Sequence, residues 1–117
     1  MWTIKTTDTF DCWYTSLNDK DRSSVLAALL VLREKGPALS RPYADTISGS
    51  RYNNMKELRI QSRGDPIRAF FAFDQERTGI MLCAGNKVGN EKRFYARLIP
   101  IADREFTYWL NTLKKKE

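Results

Sequence analysis

The period of the hydrophobic positions changes along the chain and predicts where strands and helices lie. Residues 2–6 alternate between apolar and polar side chains, which indicates a short strand. Residues 8–17 and 19–35 have apolar side chains at helical spacing, and Gly36-Pro37 ends the second of these segments. We therefore expect a strand followed by two helices that form a hairpin with one apolar side.

The second predicted helix has a wide apolar stripe. Its members are Val25, Leu29 and Leu32, with Leu26 and Leu30 at its margin. Short polar side chains stand at the start of both helices, where they can cap free backbone N–H groups. The predicted caps are Asp8 for the first helix and Asn18 or Asp19 for the second.

A meander of three strands is predicted after an irregular stretch. Residues 37–54 are rich in turn-forming and small polar residues and are expected to form a long loop. Residues 55–60, 67–73 and 80–84 then have strand-like patterns, and the short turns between them predict antiparallel neighbours. One face of the first two strands is expected to enter the core. Its side chains are Leu58, Ile60, Ile67, Phe71 and Phe73.

The last part of the chain is predicted to be a loop and a helix. The loop spans residues 85–90, and helical spacing continues from Glu91. Pro100 cannot donate an intrahelical hydrogen bond, so we expect it to kink this helix or to divide it. The order β-α-α-β-β-β-α describes one compact α+β domain over residues 1–117. We expect the N-terminal helical hairpin and the C-terminal helix to cover one side of a small, mostly antiparallel sheet.

Composition limits the chemistry that this domain can perform. A chain of 117 residues has room for one hydrophobic core, and no apolar run is long enough to span a membrane. The first residues lack a signal-peptide pattern, so we expect a cytoplasmic protein. The absence of histidine excludes histidine-based acid–base pairs and most zinc sites, and we expect no metal ion and no cofactor. Cys12 and Cys83 are expected to be buried, reduced thiols.

The net charge of +6 is carried by the second half of the chain. The first fifty residues hold six cations and six acids, so all of the excess lies in residues 51–117. Such a basic half suggests a polyanionic partner, with nucleic acid favoured over a membrane surface. A surface that simply keeps the protein in solution is the alternative.

Three charged side chains of the meander are expected to share one face of the sheet. Glu57 and Arg59 alternate with core residues on the first strand, and Arg68 joins them from the next strand. We expect this face to be exposed, with Phe70 interrupting its polar character. The set is either a surface ion pair of little energetic value or part of a functional site.

Four short segments carry a combination of residues that occurs in a known family. They are Met55-Lys56-Glu57-Leu58-Arg59-Ile60, Ile67-Arg68-Ala69-Phe70-Phe71-Ala72-Phe73, Gly85-Asn86-Lys87 and Glu91-Lys92-Arg93-Phe94-Tyr95. Together they resemble the strands and the final helix of the RelE/HigB toxins, specifically their phage-derived branch. The resemblance implies the toxin of a type II toxin–antitoxin pair, which inhibits translation by cleaving mRNA on the ribosome.

The same resemblance implies partners. A cognate antitoxin, HigA-like and with a helix-turn-helix domain, would bind the toxin, and operator DNA would be contacted only through that antitoxin. The toxin itself would contact mRNA and ribosomal RNA, and no membrane.

Site residues also follow from the resemblance by position. Arg59, Arg68, Lys87 and Tyr95 match catalytic positions of the family, and Glu57 stands where some relatives have a second lysine. The residues expected to bind RNA around this set are Lys56, Arg63, Lys92 and Arg93.

The chemistry of RNA cleavage assigns roles to these groups. Attack by the 2′-OH of the RNA needs a base, an acid for the leaving 5′ oxygen, and cations for the crowded phosphorane. Arg59 and Arg68 suit the last role, because a guanidinium is always charged and forms two hydrogen bonds with phosphate. Glu57 or Tyr95 is the candidate base, Tyr95 only if nearby cations lower its pKa. Lys87 or Lys92 would bind phosphate or donate the proton.

Two other functions remain open on the sequence alone. One is a ParE-like toxin that poisons DNA gyrase through protein contacts, and the other is an RNA-binding module without chemistry. Fold does not separate these functions. The set formed by Glu57, Arg59, Arg68 and Tyr95 favours the nuclease, because a gyrase inhibitor would not need it.

Overall fold

The computed structural model describes residues 1–115, which form one five-stranded sheet and three helices. The elements are β1 (Thr3–Thr6), α1 (Asp8–Thr15), α2 (Asp19–Lys35), a 3-10 turn (Gly36–Ala38), β2 (Ala44–Thr46), β3 (Lys56–Ser62), β4 (Asp65–Phe73), β5 (Thr78–Asn86) and α3 (Glu91–Lys115). The predicted α+β class and the order of its elements are confirmed, with one added strand, β2. Residues 116–117 of the predicted domain lie outside the described residues.

The sheet has the strand order β1-β5-β4-β3-β2. β1 pairs with β5 in parallel, and the other neighbours are antiparallel. β2 lies inside the segment that was expected to be an irregular loop, so that expectation is wrong for residues 44–46. Three residues are too few to show an alternating pattern, and only their pairing with β3 makes them a strand.

Helices cover both faces of the sheet, which corrects the expectation of a single covered side. α1 and α2 pack Phe10, Val25 and Leu32 on one face, in a cluster that includes Leu58 and Ile60. α3 packs on the other face through its own apolar side chains. These are Phe94, Leu98, Ala102 and Phe106, against Met55, Phe70, Ala72 and Leu82.

β4 has large apolar side chains on both faces, and both faces are covered by helices. Phe70 and Phe71 are adjacent and both buried, one in each hydrophobic cluster. A register irregularity against β5 falls between them. Phe70 belongs to the core beneath α3, so the expectation that it interrupts a solvent-exposed face is wrong. A strand that is buried on both sides has apolar residues at consecutive positions rather than at alternate ones.

α3 is one uninterrupted helix with Pro100 in its interior, so of the two expected outcomes, a kink or a division, the division is wrong. Pro100 is exposed, while Leu98 and Ala102 on either side of it are buried against the sheet. Their packing keeps both halves of the helix against the sheet although one intrahelical hydrogen bond is missing.

Two details of the helical hairpin differ from the prediction. Thr7, not Asp8, caps α1, because its hydroxyl accepts a hydrogen bond from the backbone N–H of Phe10 at 3.1 Å. Asn18 caps α2 as predicted. Leu26 and Leu30 do not widen the buried stripe of α2, since they are 49% and 46% exposed.

The segment before β3 is fixed to α3 by polar contacts. The carboxylate of Asp103 accepts hydrogen bonds from the Ser50 hydroxyl at 2.5 Å and from the Arg51 backbone N–H at 3.0 Å. The hydroxyls of Tyr52 and Thr107 are also hydrogen-bonded. These contacts hold the start of β3 beneath α3.

Only one of the two cysteines is buried. Cys83 is buried as expected, but Cys12 is exposed, and both are free thiols. Within residues 1–115, no helix is both long and apolar enough to cross a membrane.

Candidate active site

The carboxylate of Glu57 lies between the sheet and the first turns of α3. Glu57 is only 3% exposed, which corrects the expectation that its face is open to water. The Tyr95 hydroxyl, on α3, donates a hydrogen bond to Glu57 Oε1 at 2.6 Å. Tyr95 thus covers the carboxylate and fixes one of its two oxygens.

Arg59 holds the second oxygen of Glu57. Its Nε donates to Glu57 Oε2 at 3.0 Å, and its Nη2 donates to Asp45 Oδ2 at 3.3 Å. The hydrogen bond with Glu57 raises the pKa of Arg59 above its ordinary value. Arg59 keeps a third of its side-chain surface exposed, so a ligand can reach this member of the ion pair between Arg59 and Glu57.

Arg68 approaches Glu57 from the neighbouring strand, as the sequence predicted. Arg59 and Arg68 are register partners of β3 and β4. The Arg68 side chain is 12% exposed, and its Nε lies 4.0 Å from Glu57 Oε1. This Nε is buried and has no hydrogen-bond partner, although Nη1 of the same side chain donates to the Ile67 carbonyl at 3.0 Å. A buried donor without an acceptor is costly, so a ligand oxygen that reached it would be well bound.

Lys87 and Lys92 complete the positive surroundings of the carboxylate. The Lys87 ammonium lies 5.8 Å from the centre of the Tyr95 ring and 3.3 Å from Glu91 Oε1. Its backbone N–H donates to the Pro66 carbonyl at 2.8 Å, which anchors the start of the loop to β4. Lys92, one turn before Tyr95, is exposed and lines the cleft described next.

An open cleft of about 490 Å³ gives access to this cluster. Its walls come from β2 and the residues after it, from β3, and from the first turns of α3. The lining residues are Asp45, Thr46, Ile47, Ser48, Glu57, Arg59, Glu91, Lys92, Tyr95 and Ile99. Of the five predicted catalytic residues, Glu57, Arg59 and Tyr95 line the cleft together with Lys92, a predicted RNA-binding residue. Arg68 and Lys87 are not among the lining residues and lie behind them, beside Glu57 and Tyr95.

Asp45 was not predicted, and it is part of the same network. Its Oδ2 accepts from Arg59 and also from Arg41 Nε at 2.9 Å. The hydrogen bond from Arg41 lowers the pKa of Asp45. No local pattern marks this residue, because Asp45 reaches the site only through the pairing of β2 with β3, where it stands opposite Glu57.

Three predicted RNA-binding residues lie apart from the cluster. Lys56 precedes Glu57 and therefore points to the opposite face of the sheet, where it lines a different cleft. Arg63 is in the β3–β4 turn and is hydrogen-bonded to Asp21 of α2. Arg93 lies with Arg97 in a separate shallow cleft beside the loop that follows β5.

The direction of the pKa shift of Tyr95 bears on the choice between the two candidate bases. Burial and the hydrogen bond to the Glu57 carboxylate raise the pKa of Tyr95 well above its ordinary value. The cations beside it do not reverse this effect, so the condition for Tyr95 as a base is not met. Glu57 is the remaining candidate base, with Tyr95 as the group that orients it.

The described residues offer no obvious metal site. Within residues 1–115, no three His, Cys, Asp or Glu side chains gather where they could hold a metal ion. The polar groups of the cleft are guanidinium, ammonium, phenol, hydroxyl and carboxylate groups. The cations among them suit the binding of a phosphodiester, and the carboxylates suit proton transfer beside it.

The fold is that of the RelE toxins. The chain is similar to the isolated RelE toxin of E. coli, with a TM-score of 0.59 and 12% identity, over 82% of this chain and 95% of RelE. It is also similar to a chain of the archaeal RelE–RelB complex from Pyrococcus horikoshii OT3. There the TM-score is 0.55 at 13% identity, over 76% of this chain and 98% of the other.

Sequence comparison places the chain more narrowly. The chain belongs to the family described as "Phage derived protein Gp49-like (DUF891)", whose profile matches residues 12–107. Its relatives in Mycobacterium tuberculosis (strain ATCC 25618 / H37Rv) include "Putative toxin HigB3", 45% identical over 98 residues, or 84% of each chain. They also include "Putative toxin HigB2", 47% identical over 95 residues, which are 80% of this chain and 47% of that protein. The resemblance to RelE/HigB toxins that the strands suggested is confirmed.

Proposed function

We propose that this protein is the toxin of a toxin–antitoxin pair and that it cleaves mRNA on the ribosome. One observation carries the nuclease proposal. A buried carboxylate, Glu57, lies between Arg59 and Arg68 and beneath Tyr95, at the wall of an open cleft. The relatives named as toxins and the RelE fold support the toxin proposal.

The geometry suggests a division of labour for cleavage through the 2′-OH of the RNA, a route that needs no metal ion. Glu57 would accept the 2′-OH proton, and Tyr95 would hold the carboxylate in position. Arg59 and Arg68 would bind the phosphate oxygens and stabilise the phosphorane, with the unpartnered Nε of Arg68 gaining an acceptor. Lys87 or Lys92 would protonate the leaving 5′ oxygen.

The ion pairs of the free protein also support a need for the ribosome. Arg59 is bound by Glu57 and Asp45, so a phosphate must compete with two carboxylates for it. A ribosome that holds the message against the cleft would supply the high effective concentration that this competition requires.

Mapping of RNA ends tests the nuclease proposal. The protein is induced in a bacterial host and the 5′ ends of cellular mRNA are mapped. New ends inside coding regions are expected for the wild type and for Arg33→Ala, an exposed arginine outside the cluster. Arg68→Ala should reduce them about 10²- to 10³-fold, the usual cost of losing a group that stabilises a transition-state charge. Arrested growth with intact mRNA and inhibited supercoiling would instead indicate a gyrase poison and overturn the proposal.

The partners follow from the proposed function. The archaeal neighbour is in complex with RelB, which supports an antitoxin as partner. We expect a HigA-like antitoxin with a helix-turn-helix domain, encoded beside this gene, that alone contacts operator DNA. The site of action is the cytoplasm, where ribosomes translate. Co-expression of the neighbouring gene should restore growth, and failure of every adjacent reading frame to do so would contradict the antitoxin proposal.

A further inference from the structure

A second cleft lies beside the start of α3 and shares no lining residue with the active-site cleft. Its volume is about 200 Å³. The end of β5 and the loop after it form one wall, and the first two turns of α3 form the other. The lining residues are Asn86, Val88, Asn90, Arg93, Phe94 and Arg97, and none of them is acidic. We refer to this space as the arginine cleft.

The two arginines of this cleft are not neutralised by an acidic neighbour. Arg93 and Arg97 are four residues apart, so their side chains lie next to each other on one side of α3. Both are exposed, and neither forms an ion pair with another of residues 1–115. Like charges at this spacing repel each other, and an anion between them removes the repulsion. A phosphate suits this position, because each guanidinium can donate two hydrogen bonds to it.

The opposite wall of the arginine cleft offers contacts for a base. Val88 is 62% exposed, although its backbone N–H is fixed by the Asn86 side-chain carbonyl at 2.9 Å. The Asn90 side-chain carbonyl accepts from the Arg93 backbone N–H at 2.9 Å. The amide N–H groups of Asn90 are left without an acceptor among the described residues. The loop therefore presents a fixed apolar side chain and a free amide donor, which are groups that hold an unpaired base by contact and by hydrogen bonds to its edge.

Only the first turns of α3 separate the arginine cleft from the active-site cleft. Lys92 lines the active-site cleft, and Arg93 lines the arginine cleft. They are consecutive in the helix, so their side chains point about 100° apart around its axis. A helix is about 10 Å wide, which is about three steps of a nucleic-acid strand at roughly 3.4 Å each. An RNA strand that occupies one cleft can therefore continue into the other across the start of α3.

We propose that the arginine cleft binds a nucleotide of the RNA substrate, a few positions away from the bond that is cleaved. Arg93 and Arg97 hold the phosphate of this nucleotide, and Val88 and Asn90 contact its base. The inference rests on the proposed function, because it adds a second contact for the RNA of the active-site cleft. A strand held here stays close to Arg59, where its next phosphate must displace two carboxylates, and the tether raises the local concentration of that phosphate.

The salt dependence of RNA binding tests the phosphate contact. The probe is a decaribonucleotide with 2′-O-methyl groups, which lacks the attacking hydroxyl, and fluorescence anisotropy with the whole protein gives its dissociation constant. Arg97→Ala should weaken binding about three- to tenfold. It should also reduce the slope of the logarithm of affinity against the logarithm of salt concentration by about 0.7, the value for one phosphate of a single strand.

Arg104→Ala is the matched control for this substitution. Arg104 is an exposed arginine further along α3 and outside the arginine cleft, so its loss should leave both the affinity and the slope close to those of the wild type. An equal loss in Arg104→Ala would mean that the outer side of α3 binds nucleic acid as a whole. That result, or unchanged binding in Arg97→Ala, overturns the proposal.

Uncharged substitutions test the contact with a base. Val88→Ser and Asn90→Ser should each weaken binding of the same probe about two- to fivefold, with no change in the salt slope, because neither removes a charge. Serine at position 90 can still cap α3, so the fold should be kept, and thermal melting checks this. Leu26→Ser changes an exposed apolar residue of α2 and is the control. Full binding in both Val88→Ser and Asn90→Ser overturns the assignment of a nucleotide site.

Two further measurements identify the source of the nucleotide. Calorimetry with adenosine or uridine monophosphate should show binding at least about a hundredfold weaker than that of the probe. Equally tight binding would make a free nucleotide the ligand and overturn the proposal. In a translation extract, Arg97→Ala should raise the message concentration for half-maximal cleavage about three- to tenfold, with little change in the maximal rate. If no variant and no wild type cleaves RNA, the proposed function fails, while binding of the uncleavable probe still tests the arginine cleft.

Discussion

Asp21 and Glu57 are carboxylates buried on opposite faces of the same sheet, and the protein surrounds them differently. Asp21 accepts two hydrogen bonds from Arg63, at 3.0 and 3.1 Å, and one from the Ser62 hydroxyl at 2.6 Å. Glu57 accepts one bond from Arg59 and one from Tyr95, while Arg68 Nε stays 4.0 Å away without a partner.

The difference separates a structural ion pair from a candidate site. The pair of Asp21 and Arg63 joins α2 to the β3–β4 turn, and its polar groups are satisfied by each other. The cluster around Glu57 leaves a buried donor unsatisfied and opens onto a cleft. Perturbed and incompletely satisfied groups beside a cleft are a feature of functional sites. Both clusters contain an arginine and a carboxylate, so residue type alone would not distinguish them.

The largest expected effect is a loss of cleavage activity when Glu57 is substituted, with no such loss when Asp21 is substituted. Glu57→Gln should reduce the rate of mRNA cleavage in a translation extract about 10²- to 10⁴-fold, because it removes the proposed general base. Asp21→Asn is the matched control and should leave the rate within about threefold of the wild type. An equal loss in both folded variants would remove the distinction between the two clusters.

Tyr95→Phe should have a smaller effect on cleavage. The ring stays in place against Phe70 and only the hydrogen bond that positions Glu57 is lost. We expect the rate to fall about three- to tenfold, as is typical for one such bond. A loss as large as that of Glu57→Gln would mean that the phenol itself transfers a proton, contrary to the direction of its pKa.

Substitution of Asp21 should lower the stability of the fold rather than the rate of cleavage. The hydrogen bonds from Arg63 and Ser62 lower its pKa below the ordinary value of 3.8. A lowered pKa means that the charged carboxylate stabilises the fold at neutral pH, and that this stabilisation is lost as the pH falls through 3.8 towards the folded-state pKa. The melting temperature of the wild type should therefore exceed that of Asp21→Asn at pH 7, and the gap should narrow at acidic pH. A gap that is constant with pH would contradict the assignment.

Asp45→Asn is the smallest change that we expect to detect. Asp45 is one of two acidic partners of Arg59, and the ion pair between them is partly exposed. We expect cleavage to change by less than about fivefold, as for exposed pairs in general. A loss as large as that of Arg68→Ala would place Asp45 in the chemistry instead.

The sequence predicted those features that local patterns and short turns determine. The helices, the three-stranded meander and the pairing of Arg59 with Arg68 follow from periodicity and from the short turn predicted at residues 62–66. They are confirmed, except that α3 is not divided at Pro100. Glu57 was selected by the alternation of side chains along its strand and Tyr95 through a resemblance to a family, and no pattern placed their two side chains in contact.

The missed features depend on contacts between distant segments. β2 and Asp45 are defined by pairing with β3. The burial of Glu57 depends on the docking of α3 on the face that was expected to be exposed to solvent. Leu26 and Leu30 have the hydrophobicity of core residues, and periodicity cannot show that no part of residues 1–115 covers them.

The continuous docking of α3 has a consequence for the time at which the proposed nuclease becomes active. The sheet supplies Glu57, Arg59 and Arg68, whereas Tyr95 and Lys92 come from the first turns of α3, which the ribosome makes last among these elements. A nascent chain with a finished sheet still lacks the cover and the cations that complete the cleft. The proposed activity would therefore begin only after α3 has emerged from the ribosome and docked on the sheet.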